Sequence, residues 1–93
     1  MSDLGGLRGE LAAIDREIMA LVGRRNCIAQ TIGEQKAAAN EDVVVASVET
    51  AVVQRYVDAG AVVGVSAVAA IRIARAVIDE SVEVQGKAPR HAE

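Results

Sequence analysis

Residues 21–36 read LVGRRNCIAQTIGEQK. Counted forward from Leu7, apolar residues recur at alternating four- and three-residue steps through Leu11, Ile14, Ile18 and Leu21; the next step falls on Arg25, after which Ile28 and Ile32 resume the series. Steps of three and four are the period of one face of an α-helix. The pattern runs from about Ser2 to Ala39 without a proline, with Gly23 and Gly33 as its central glycines, and predicts one helix. At 1.5 Å per residue such a helix is ~50 Å long. A chain of 93 residues cannot cover that length with its own side chains, so the seam is expected to pack against a second chain.

Composition points the same way. The chain is 52% hydrophobic and 1% aromatic, with no Phe or Trp, so its core has to come from Ala, Val, Ile and Leu, with Tyr56 as the single ring. A net charge of −3 with dispersed cations argues against a nucleic-acid partner, which calls for a clustered basic face. The lone Cys27 excludes an internal disulfide and a multi-cysteine metal site. No stretch reads as a signal segment or as a span of ~20 apolar residues. The expectation is a soluble, cytoplasmic protein with no membrane partner.

After the long helix, Asn40, Glu41 and Asp42 favour a turn, and Val43–Val45, a strand with nothing to pair with, is assigned to a loop. Ser47 is placed as N-cap of a second helix running to about Ala59. Gly60 and Gly64 bracket the next connection, and Ser66 caps a third helix from Ala67 to Gln85, with a seam of Ala67, Ile71, Ala74 and Ile78 that turns polar at Ser81 and Gln85. The fold class is therefore all-α: one long and two shorter helices in a single domain over residues 1–86, with the long seam left for a second chain to cover. Residues 87–93, which hold the only proline, are expected to be a disordered tail, with His91 in it poorly placed for catalysis.

Two seams thus carry polar residues where periodicity calls for apolar ones. Arg25, Ile28, Ile32 and Lys36 share a face, and the two cations stand ~16 Å apart along the axis, a span that long side chains can close around a small anion. An unpaired buried cation costs several kcal/mol, so a counter-charge is required. Two solutions remain open on these residues alone: snorkelling or pairing with Glu49 and Glu80, or a dianionic ligand. Cys27 reads as a small packing residue, since no histidine in a folded segment can activate it, and Tyr56 as core filler. Glu10, Asp15, Arg16, Glu17 and Arg24 read as solvated helix surface.

Here the residues resemble a family, the all-helical chorismate mutases. The likeness spans residues 7–85 without insertion or deletion and rests on Leu7-Arg8 followed by Ile14-Asp15, on Arg25 followed eleven residues later by Lys36, on Glu49 at the start of the second helix, and on Ser81-x-x-x-Gln85. It implies an intertwined homodimer of three helices per subunit and an intramolecular Claisen rearrangement of chorismate to prephenate, a reaction that needs no metal or cofactor. By the same implication, Arg25 and Arg8 hold the two carboxylates, Arg8 coming from the partner subunit. Lys36 and Gln85 direct donors at the ether oxygen, Ser81 supports a carboxylate, and Glu49 accepts a hydrogen bond from the ring hydroxyl. The catalytic set is then Lys36, Gln85 and Arg25. The chain departs from the family in having Val48 before Glu49, where an arginine is usual, and in the loop sequence EDVVVAS. The alternatives are a sibling reaction on a related ring dicarboxylate, 4-amino-4-deoxychorismate mutase or isochorismate pyruvate lyase, and a non-catalytic helical dimerisation module.

Overall fold

The structure, a computed structural model, describes residues 3–87. It contains three helices, α1 (Leu4–Ala39), α2 (Ala46–Val62) and α3 (Ala67–Gly86). Asp3 opens α1, its carboxylate accepting the Gly6 amide hydrogen at 2.9 Å. Asn40 closes it in the left-handed conformation (φ 57°), which asparagine tolerates better than most side chains. The Val43–Val45 triplet lies in the expected loop. Ser66 caps α3 as predicted, its hydroxyl oxygen accepting the Ala69 amide at 3.2 Å.

Two boundaries differ from expectation. The N-cap of α2 is Val45, not Ser47: the extended Val45 backbone offers its carbonyl to both Val48 and Glu49 N–H, which starts the helix two residues early with no side-chain cap. At its other end α2 continues through Gly60 to Val62, and the turn is made at Gly64 (φ 79°). Gly60 is a packing glycine, because a Cβ there would meet Val65 Cβ and its carbonyl oxygen at 3.3 Å. Most of the expected tail, residues 88–93, lies outside the described residues.

α3 is the central element, with α1 and α2 each packed against it. Small side chains make this possible. The buried residues are Ala29, Gly33 and Ala37 on α1, Val52 and Gly60 on α2, and Ala70, Ala74 and Ile78 on α3. The α3 seam is therefore rotated from the expected one: Ala67 and Ile71 are exposed and Ala70 is buried. On α1 the leucine–isoleucine stripe does not face α3. Leu4, Leu7, Leu11, Ile14, Ile18 and Leu21 are all half exposed or more. Cys27 is exposed rather than packed, and Tyr56 is half-buried. The chain measures 67 × 23 × 14 Å with a radius of gyration of 16.9 Å, against ~12 Å for a compact chain of this length.

Candidate active site

The polar residues of the two seams meet where the C-terminal halves of α1 and α3 face the start of α2. They line a cleft of about 350 Å³. From α1 come Arg25, Ile28, Ile32 and Lys36, three to four residues apart on one face as their spacing requires. α3 contributes Ile78, Ser81 and Gln85, α2 contributes Val48, Glu49, Val52 and Arg55, and the loop adds Val43 and Val45. Apolar walls with a few convergent polar groups are the usual make-up of a small-molecule site.

The cations are held by neutral acceptors. Arg25 Nη1 donates to Ser81 Oγ at 2.9 Å, and Lys36 Nζ donates to Gln85 Oε1 at 3.0 Å and to the Val43 carbonyl at 2.9 Å. Neither Glu49 nor Glu80 reaches ion-pair distance of them. Glu80 instead accepts a hydrogen bond from Asn26 Nδ2 at 2.9 Å and does not line the cleft. Of the two ways of balancing these cations, pairing with Glu49 and Glu80 is thus not the one adopted. Arg25 and Lys36 are half-buried. Their positive charge is compensated by dipoles alone, which leaves a cleft electrostatically suited to an anion.

Hydrogen-bond capacity sharpens this. An ammonium carries three donors; Lys36 uses two on the protein, so one remains for a ligand. The same bond fixes the Gln85 amide, because Lys36 has no acceptor to offer and only Oε1 can face it. The Gln85 Nε2 donors therefore point away from the ammonium. Ser81 accepts from Arg25 through its oxygen and keeps its own O–H to donate, while the guanidinium retains N–H groups beyond the one on Ser81. Glu49, half-buried, is the carboxylate of the cleft wall.

Gly33 explains why these groups converge. A Cβ at this position would stand 2.7 Å from both Gln85 Cα and the Gln85 carbonyl oxygen. Only glycine lets the end of α3 come this close to α1, one turn before Lys36.

Of the residues singled out in the sequence, Arg25, Lys36, Glu49, Ser81 and Gln85 come together here. Arg8 does not. It is exposed on the N-terminal half of α1, seventeen residues before Arg25, or ~26 Å along the axis. Arg55 lines the cleft and was not anticipated. Its signal was present: Val48, Val52 and Arg55 lie four and three residues apart, an apolar face ending in a cation as on α1.

Three helices around a cation-lined cleft describe an all-α protein built to hold a small anion. The family model for chorismate mutase type II matches residues 7–86, and the chain belongs to that family. It is accordingly an enzyme, an isomerase with chorismate mutase activity. No curated protein and no solved structure gave a match.

Proposed function

We propose that the cleft between α1, α2 and α3 is where chorismate is rearranged to prephenate, and that this chain works as a homodimer. The observation that carries the reading is the pairing of Lys36 with Gln85 beside that of Arg25 with Ser81. In a Claisen rearrangement one C–O bond breaks as one C–C bond forms within a single molecule. Catalysis then consists of holding the substrate in its reactive chair and stabilising negative charge on the departing ether oxygen. The spare Lys36 donor and the Gln85 amide are assigned to that oxygen. Arg25, with Ser81, takes a carboxylate; a guanidinium suits this because it presents paired donors and stays charged. Glu49 accepts the ring hydroxyl.

The dimer is supported by the uncovered stripe on α1. Leu4, Leu7, Leu11, Ile14, Ile18 and Leu21, exposed along one helix outside the cleft, exceed what a stable monomer leaves in water. Pairing the stripe with that of a second chain removes it from solvent. In an intertwined arrangement Arg8 reaches the partner's cleft and supplies the second carboxylate contact. We place the protein in the cytoplasm, in the synthesis of aromatic amino acids.

The test is a substrate panel. Purified protein is offered chorismate, isochorismate and 4-amino-4-deoxychorismate separately, and products are separated by chromatography. Prephenate from chorismate as the fastest conversion supports the reading. Faster conversion of either other substrate assigns a sibling reaction, and no conversion by a folded dimer returns the non-catalytic module.

A further inference from the structure

If the cleft is a dicarboxylate site, one of its cations is left without a task. Arg55 lines the cleft from α2, is exposed, and has no ion-pair or hydrogen-bond partner among the described residues. It shares a helix face with Val52 and Val48, which line the same wall. Side chains of a helix lean toward its N-terminus, so the long Arg55 side chain is carried back along α2 toward Val52 and Val48, on the wall whose other charged group is Glu49.

Charge counts in the same direction. One chain contributes to the cleft three cations, Arg25, Lys36 and Arg55, against one carboxylate, Glu49. Within one chain the cations exceed the carboxylate by two, and Arg8 from a second chain adds to that excess, so the cleft favours a dianion. Arg55 also borders a shallower groove formed by Tyr56, Gly60, Val65 and Ile73. That groove is lined by apolar side chains and offers a guanidinium no counter-charge, whereas a dianion in the cleft does.

We propose that Arg55 is a substrate-binding residue, drawn onto a substrate carboxylate from the α2 wall, where it is the only cation among the described residues. The inference rests on the reading of the cleft as a dicarboxylate site. Arg55 stands on a different helix from Lys36 and Gln85, the donors assigned to the ether oxygen. A substrate carboxylate keeps its charge through the rearrangement, so a contact to it is made alike in substrate and transition state and appears in KM, not in kcat.

The experiment compares Arg55→Gln and Arg55→Lys with the parent in steady-state kinetics on chorismate, with helicity checked by circular dichroism. The expected result is a KM about tenfold higher for Arg55→Gln, the loss of one charge-assisted contact, with kcat within about twofold. Arg55→Lys is expected to retain most of the affinity. Calorimetric titration with the dicarboxylate prephenate reads the same contact without turnover, so a protein that fails to rearrange chorismate is distinguished from an Arg55 that plays no part. Equal prephenate affinity in parent and Arg55→Gln overturns the proposal, as does an Arg55→Lys variant weakened as much as Arg55→Gln.

Discussion

Gly33 of α1 lies directly against the backbone of Gln85 of α3, with room for a hydrogen and none for a methyl: a Cβ would approach Gln85 Cα to 2.7 Å. The contact couples packing to chemistry, since Gln85 is the residue whose amide oxygen accepts from Lys36. Gly33→Ala improves helix propensity by ~1 kcal/mol but forces the helices apart, at a cost of about 1–3 kcal/mol for overpacking. Net destabilisation in thermal unfolding is expected, with a fall in kcat larger than the change in stability explains. An alanine variant with parental kcat would show that the close approach does not position Gln85.

Ser81→Ala removes the neutral acceptor of Arg25 while leaving the helix intact. The guanidinium is half-buried, so losing its partner costs about 1–3 kcal/mol in the free enzyme. Substrate binding suffers as well, because the freed guanidinium must be ordered again. A severalfold rise in KM is expected, measured beside an unchanged circular dichroism spectrum.

The assignment of Arg8 to the partner's cleft makes a prediction that a single chain cannot satisfy. Arg8→Ala and Lys36→Ala homodimers should each be nearly inactive. Mixed dimers refolded from the two should recover activity, because one of their two clefts combines Lys36 from one chain with Arg8 from the other. No recovery in verified heterodimers would place Arg8 outside the site.

Val48 lines the cleft at the first turn of α2 without contributing charge. Val48→Arg adds a cation to the wall and is expected to lower KM for chorismate several-fold, with a steeper rise of KM with salt, as an added charge contact requires. An unchanged KM would mean that the substrate does not extend to this part of the wall.

The long helix, the Ser66 cap and the convergence of Arg25 with Lys36 were legible because each depends on spacing within one helix. The packing faces were not. Periodicity marks the Leu7–Ile32 stripe as a seam for a second chain, but it does not mark the face that meets α3, Ala29, Gly33 and Ala37, where close helix approach needs small side chains. The stripe remains uncovered in one chain, and a sequence pattern cannot say which of two apolar faces meets its own chain. Arg55 escaped for a related reason: a cation ending an apolar face looks the same whether it borders water or a cleft. Val45 replaced Ser47 as cap because the extended backbone of Val45 already supplied the carbonyl that starts the helix.

The central claim is that Lys36, oriented through Gln85, stabilises the charge that develops as chorismate rearranges. The most direct test follows prephenate formation by parent and Lys36→Ala under saturating chorismate, with both proteins shown to fold. A donor directed at developing charge contributes ~3–4 kcal/mol, so the variant should retain its helicity and lose about 10²–10³-fold in kcat. Equal kcat in the two proteins would contradict the account.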